Sequence, residues 1–595
     1  MREKPFLHVS LFLFLLIQLA CTGGKKPDEV RIRIIETTDI HGAIYPYDFL
    51  NDRDTKYSLA RIHTFIANER KDNSHEVILL DNGDILQGEP VVYFSNYMDT
   101  ASIHVCAAAM NFMEYDAATV GNHDIEAGHD VYDKLVDEFH FPWMAANAID
   151  ISTGEPYFKP YTIIKRNGLR MAVLGLITPG IPQWLPPQLY CGIAFDDMVK
   201  SASFWINEIE KKEKPDLIIG LFHAGHDYTY GGQMKNDPGN ENGSLLVAEQ
   251  VPGFDVIFIG HDHDVLLDSL INIEGETVYI VDPGSHARYA GVADVFLKYN
   301  HKMRKYDKKI SLELVNISEY DPDTIFLDHL QWYFQQTRQF IETKVATLTE
   351  DIYSREALFG NSAFTDLIHT IQLDLTNADL SFTAPLAFNS VLEAGELTVG
   401  DLFRLYRFEN FLYSMDLTGI EIDNYLEYSY GQWFNQMHHE SDHLLKFELN
   451  DQGNPVRSGP GNTARLSGRY YNFDSAEGIN YVVDVSKPVG ERITITSFTN
   501  GSPFEEEKTY RVALNSYRGS GGGGHLTSGA GILENELSER ITFSTTRDLR
   551  YHMIEWMNDQ QVIKPAAYDN WTVIPHAWWM EGKERDRKIL FSFEE

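Results

Sequence analysis

Val256-Ile257-Phe258-Ile259-Gly260-His261-Asp262-His263 sets four apolar, mostly β-branched residues against a turn holding two histidines and an aspartate. Such a run reads as a buried strand, and the turn reads as a strand end loaded with metal-binding groups. The same pattern recurs upstream. Arg31 to Glu36 precedes Asp39-Ile40-His41, Val77-Ile78-Leu79-Leu80 precedes Gly83-Asp84, and Leu217-Ile218-Ile219 precedes Phe222-His223-Ala224-Gly225. Gly121-Asn122-His123 completes the set. Residues just past the ends of several strands converge on one edge of a sheet, which is where open α/β folds place their sites.

Taken singly these pieces are ordinary. Asp-x-His and Gly-Asp are common turns, and a lone histidine is more often a satisfied core residue than a ligand. Together, after successive strands, they form a ligand set. Mixed oxygen and imidazole ligands suit Mn, Fe, Co or Zn, and two such ions ~3.5–4 Å apart can clamp a phosphoryl group. Asp39, His41 and His263 would hold one ion; Asn122, His223 and His261 would hold the other; Asp84 would bridge.

Composition narrows what such a site could act on. A chain of 595 residues predicts more than one domain, because single cores stop growing near ~250–300 residues. With 43% apolar and 12% aromatic residues it has material for packed cores. The formal charge of −37 argues against a long polyanionic partner, since nucleic-acid binders neutralise phosphates with clustered Lys and Arg. A small nucleotide stays admissible, with bound metal supplying the positive charge locally. The oligomeric state is left open.

Residues 1–21 read as a targeting segment. Leu11 to Ala20 is an apolar run too short to span comfortably. It ends at Leu19-Ala20-Cys21 before the polar Lys25-Lys26. A small residue before Cys resembles a bacterial lipoprotein signal and implies a lipid anchor on Cys21; an ordinary signal peptide is the alternative. Either one exports the chain, to the periplasm or the cell surface. Cys106 and Cys191 remain, and their spacing does not say whether they pair.

Residues 28–320 alternate strand and helix as an α/β domain should, with 278–299 expected as a closing hairpin around Pro283-Gly284-Ser285. Residues 321–348 are expected as one connector helix, with Phe326, Leu330, Phe340 and Ile341 recurring at helical spacing. A second α/β domain is expected over 349–562. The Trp-rich residues 563–595 are expected as a surface appendage.

The five motifs resemble the calcineurin-like metallophosphoesterases, and Asp81-Asn82-Gly83-Asp84-Ile85-Leu86-Gln87-Gly88 resembles the nucleotidase branch. The resemblance implies an N-terminal four-layer αββα sandwich joined to a C-terminal α/β nucleotidase domain. It matches the ligand assignment position by position. It also implies that His123 faces the phosphate, stabilising developing charge or protonating the leaving oxygen, with Asn122 beside it. Glu126 and Asp124 are both candidates for the carboxylate that orients His123; capping of the following helix is the competing role.

Residues 349–562 resemble the nucleotide-recognising domain of periplasmic 5′-nucleotidases and 2′,3′-cyclic-nucleotide phosphodiesterases. The stretches that carry this are Arg407-Phe408-Glu409-Asn410, Tyr471-Asn472-Phe473-Asp474 and Asn515-Ser516-Tyr517-Arg518 with its glycines. Tyr471 or Phe473 and Tyr517 would sandwich a base, with Arg407 and Asn410 also contacting substrate. Stacking is worth ~1–3 kcal/mol per base. The Gly-rich, Arg-ending segment of 5′-nucleotidases is replaced here by Phe382-Thr383-Ala384-Pro385-Leu386-Ala387-Phe388-Asn389. That replacement resembles the cyclic-nucleotide phosphodiesterase/3′-nucleotidase branch; a 5′-nucleotidase or nucleotide-sugar hydrolase on the same scaffold is the alternative, and a surface lipoprotein that binds nucleotides without turnover is the rival from another class.

Overall fold

The computed structural model describes residues 26–591 except 236 and 459–462; the targeting segment expected over 1–21 lies outside the described residues. The strand Glu29–Thr37 is covered on both faces. Ile32 and Ile34 face a second sheet, while Ile35 packs beneath helices. Its parallel neighbour Glu76–Asp81 leads on to Ala117–Thr119 and Trp143–Met144, and on the other side Tyr289–Asn300 and Lys305–Asn316 add antiparallel.

The second six-stranded sheet is ordered Val265–Ile271, Thr277–Pro283, Val256–Ile259, Leu217–His223, Leu169–Ile177, Tyr161–Arg166, with parallel pairing at its centre. Ile78 and Leu80 of the first sheet meet Val173, Ile219, Leu221 and Phe258 of the second in a buried layer. Leu59–Glu69, Val105–Met113 and His129–Glu138 cover the first sheet, and Met198–Glu213 and Ser244–Gln250 cover the second. This is the expected four-layer sandwich. Because the buried layer fixes register, slipping a strand by one residue would turn its Ile and Leu side chains to the wrong face. The strand ends, and the loops that start there, are thereby fixed.

Three expectations are corrected. The hairpin over 278–299 does not form: Thr277–Pro283 stays in the second sheet, while Tyr289–Asn300 crosses to the first and hairpins with Lys305–Asn316. Both strands bury side chains on two faces, so each takes an interior place in its own sheet. The connector is not one helix. Thr324–His329 and Gln331–Ile341 meet at a bend at Leu330 (φ −100°, ψ 7°), which turns Phe326, Leu330, Phe340 and Ile341 all into the core. Lys344–Leu348 then leaves as a strand between Gly395–Thr398 and Val562–Ile563.

Finally, residues 563–595 are not a surface appendage over their described part. Trp571–Ile574 pairs parallel with Ile479–Asp484, and His576–Phe591 buries Leu590 and Phe591. Asp586 is fully buried and accepts from the Leu445 N–H at 2.8 Å.

The C-terminal domain is built on a five-stranded sheet, Ser475–Glu477, Leu380–Thr383, Thr509–Asn515, Leu412–Thr418, Ile541–Ser544. Helices Ala363–Thr376 and Gly419–Trp433 pack on it; Thr418 and Glu421 form a capping box at the start of the second. Cys106 is buried and Cys191 exposed, and both are free. Among the described residues no helix is long and apolar enough to cross a membrane.

Candidate metal centre

Five of the seven expected ligands occupy left-handed backbone: Asp39 (φ 49°), His41 (48°), Asp84 (56°), His261 (85°) and His263 (61°). For non-glycine residues this costs on the order of 1–2 kcal/mol each, and such strain clusters at functional sites. It turns each side chain inward just past its strand. The glycines beside them are sterically required. A Cβ on Gly121 would stand 2.2 Å from Asp84 Oδ1, and one on Gly260 would stand 2.1 Å from Thr38 Oγ1.

Two groups of ligand atoms result, Asp39–His41–His263 and Asp84–His223–His261, each within 4.8 Å. His41 Nε2 and His263 Nε2 are 2.9 Å apart, and His263 Nε2 is 3.4 Å from Asp39 Oδ1. In the second group His223 Nε2 lies 3.1 Å from Asn122 Oδ1 and 3.2 Å from Asp84 Oδ2, and His261 Nδ1 lies 2.8 Å from Asn122 Oδ1. The structure thus brings all seven expected ligands together.

These donors fit divalent metal. His223 Nδ1 donates to the Asn82 carbonyl at 2.6 Å, and His41 Nδ1 to the Gln87 carbonyl at 3.2 Å. A histidine fixed in this way presents its other nitrogen's lone pair to a metal. His223 Nε2 therefore faces two oxygen acceptors, an arrangement that only a cation or a protonated ring satisfies. Asp39 Oδ2 accepts from the Thr38 hydroxyl and the His261 N–H, while the buried Oδ1 has no hydrogen-bond partner.

Burial pushes the Asp39 carboxyl up, but the nearby His263 and His223 imidazoles outweigh it and hold it at about 2. Asp84 is held well below the usual range by His223 and His123, again against burial. Behind them burial raises Asp81 to about 8 and Glu36 well above its ordinary value. The imidazoles thus favour the charged form of the two ligand carboxylates, while burial disfavours charge on the acids beneath them.

His123 stands at the mouth of this centre, its ring 5.5 Å from that of His41. Its Nδ1 is hydrogen-bonded to the Glu126 carboxylate, leaving Nε2 free for chemistry. Burial lowers its pKa, yet Asp84 and Glu126 together push it up to about 10. Asp124 is corrected: it does not orient His123. Its carboxylate accepts the N–H groups of Asp84 (3.0 Å), Gly121 (2.7 Å), Ile85 (2.9 Å) and Leu86 (3.1 Å). It is a positioning residue that ties the Asp84 loop to the Gly121 turn, and the capping role comes with it.

A cavity of about 290 Å³ runs from His123 and Glu126 into the C-terminal domain, where Phe408, Asn410, Tyr471 and Tyr517 line it. Arg518 shapes that end. Its guanidinium grips the buried Asp474 carboxylate at 2.8 and 2.9 Å and donates to the Tyr471 carbonyl at 2.8 Å, tying the Tyr471 loop to the Tyr517 loop. Phe473 is corrected: it is fully buried and stacked on Trp433, with centroids 5.5 Å apart and planes 7° apart. Arg407 is corrected too, as it does not line the cavity; its carbonyl accepts from Arg550. Phe408, 37% exposed and 5.9 Å from the Tyr471 ring, was missed although its stretch was singled out, as were Gln87, Glu409 and Asn515.

When bound at such a centre, two divalent ions polarise a phosphoryl group and stabilise its displaced oxygen. The chain's own groups supply the rest: a proton held at His123 Nε2, and apolar faces that can hold a ring remote from phosphorus. A sandwich with strand-end ligands of this kind, opening into an aromatic cavity on a second domain, defines a metal-dependent phosphoesterase.

Residues 32–265 match the calcineurin-like phosphoesterase family, and residues 343–528 match the 5′-nucleotidase C-terminal domain. The chain belongs to the calcineurin-like phosphoesterases that carry a 5′-nucleotidase C-terminal domain, and it is a nucleotide phosphoesterase of that family. It is 27% identical to a 2′,3′-cyclic-nucleotide 2′-phosphodiesterase/3′-nucleotidase of Yersinia enterocolitica, over 86% of this chain and 84% of the other. It is also 27% identical to the trifunctional nucleotide phosphoesterase YfkN of Bacillus subtilis; that match covers 92% of this chain but spans only 39% of the relative. The crystal structure of a putative 5′-nucleotidase from Staphylococcus aureus shares the fold, with a TM-score of 0.69, 19% identity and coverage of 91% of this chain and 99% of that one.

Proposed function

We propose that the chain hydrolyses 2′,3′-cyclic nucleotides and 3′-nucleotides, releasing nucleoside and phosphate, as the name of its Yersinia relative describes for that protein. The observation that carries this reading is the make-up of the cavity. Among the described residues lining it there is no arginine or lysine, while Glu126 and Glu409 are present. Leu386, from the segment that stands where 5′-nucleotidases have their arginine, lines it instead. Phosphate would then be held by metal, Asn122 and His123 alone, and the base by Phe408, Tyr471, Tyr517 and Asn410. Manganese, zinc, iron or cobalt suits the two-ion centre by its ligand chemistry. The targeting segment supports export, with a lipid anchor on Cys21 as the membrane attachment.

The test is phosphate and nucleoside release from 2′,3′-cyclic AMP, 3′-AMP and 5′-AMP by manganese-loaded protein lacking residues 1–21. Turnover of the first two with little on 5′-AMP is expected. A preference for 5′-AMP would overturn the substrate reading and leave the metal centre standing.

A further inference from the structure

The histidines of the centre are not oriented alike. His223 and His41 each lean Nδ1 on a backbone carbonyl and offer Nε2. His261 is turned the other way: Nδ1 lies 2.8 Å from Asn122 Oδ1, on the ligand side, and Nε2 lies 3.3 Å from Glu241 Oε1. A ring that offers Nδ1 to an ion carries its proton on Nε2. The group that receives that N–H here is a carboxylate rather than a neutral carbonyl. A charge-assisted hydrogen bond is roughly twice as strong as a neutral one, and a carboxylate behind a ligand imidazole makes the imidazole a better donor to metal.

Glu241 is held in place by its own backbone. Its N–H donates to Gln233 Oε1 at 3.2 Å, and its carbonyl accepts from the Thr178 hydroxyl at 2.9 Å. Thr178, the first residue past the strand Leu169–Ile177, also donates its backbone N–H to the His223 carbonyl at 2.8 Å. One threonine thus ties the segment carrying Glu241 to the strand end carrying His223. The face of the His261 ring is covered separately by Trp184, with centroids 5.5 Å apart and planes 29° apart. A Cβ on Gly180 would stand 2.5 Å from the Trp184 ring, so the glycine leaves the room that ring occupies. Glu241 itself lies outside the cluster of ligand atoms and outside the cavity lining.

We propose that Glu241 is a positioning residue for the second ion: its carboxylate accepts from His261 Nε2–H and fixes the ring so that Nδ1 meets the ion held with Asn122 and His223. The first ion does not depend on it, since Asp39, His41 and His263 are held through other partners. The motif Gly260-His261-Asp262-His263 gives no sign of this, because the carboxylate comes from a loop 20 residues upstream of the ligand it serves.

The test is manganese binding by the full chain in competition with a chelator, for wild type, Glu241→Gln and Glu241→Ala. Wild type is expected to bind two ions. In Glu241→Ala one of them should weaken by about 10–100-fold while the other keeps its affinity. Glu241→Gln should weaken the same ion by less, because its amide oxygen still accepts from Nε2–H. The Tm of metal-free protein should not move in either variant, and KM for nucleotide at saturating manganese should stay as in wild type. Wild-type affinity for both ions in Glu241→Ala overturns the proposal. So does a parallel fall of both ions together with the metal-free Tm, which would make Glu241 a support of the loop alone. The proposal rests on the two-ion centre and not on the choice of nucleotide. Wild type that binds fewer than two ions would overturn the centre and Glu241 together, whereas unchanged variants of a two-ion wild type would overturn Glu241 alone.

Discussion

Asp124→Asn separates positioning from chemistry in this site. In the native protein Oδ2 accepts from the Asp84 and Gly121 N–H groups and Oδ1 from those of Ile85 and Leu86. Burial and the nearby Asp84 charge push this carboxyl up to about 7, while the N–H donors favour its charged form. An amide keeps one acceptor oxygen and turns the other into a donor facing two N–H groups. At a pH well above that value, two hydrogen bonds to a charged group are lost at about 1.5–3 kcal/mol each, so the substitution should cost about 3–6 kcal/mol there. Against a total of about 5–15 kcal/mol for ordinary domains, urea melts of metal-free protein should show this clearly. The Asp84 loop loosens with it, and metal retention against a chelator should weaken by about 10–100-fold, as for other residues that orient ligands. Saturating manganese should bring kcat back to within a few-fold of wild type, since Asp124 does not line the cavity. Unchanged stability and metal affinity with a collapsed kcat would refute this reasoning and make Asp124 part of the chemistry.

Glu126→Gln removes one of the carboxylates that raise His123. A raised imidazole keeps its proton at neutral pH and loses it as pH rises through its pKa, so the alkaline limb of the kcat profile should move to lower pH; an unmoved limb would uncouple the two residues. His123→Ala should keep both ions, counted by mass spectrometry, and lose turnover by about 10²–10⁴-fold; native turnover would end its assigned role. Phe408→Ala and Tyr517→Ala should each raise KM by about 5–150-fold, the equivalent of ~1–3 kcal/mol of stacking. Phe473→Ala should instead cost about 3–5 kcal/mol of stability with KM unchanged, and a KM effect confined to Phe473 would reverse the assignment. Gly121→Ala should strip metal from a folded protein, because its Cβ would stand 2.2 Å from Asp84 Oδ1; full metal occupancy would contradict the close approach.

The metal side of the molecule was legible because its signals are local. Nearly every ligand follows a strand that announces itself by its apolar run, and Gly83, Gly121 and Gly260 mark where backbone must approach closely. The choice between Glu126 and Asp124 stayed open in the sequence and is decided by the structure. On the short helix Asn122–Glu126, residues three apart share a face and adjacent ones do not, which favours Glu126 as the partner of His123. The aromatic side was not legible in this way. Phe473 and Phe408 look alike in sequence, and what separates them is Trp433, some 40 residues from the first, on whose ring Phe473 stacks. The same holds for Trp571–Ile574, a four-residue strand whose partner Ile479–Asp484 lies about 90 residues away. The difference has a physical origin. Metal coordination fixes residue type, strand end and backbone sign within a few positions. A stacking surface asks only for an exposed aromatic ring, and which rings stay exposed is settled by packing between segments far apart in the chain.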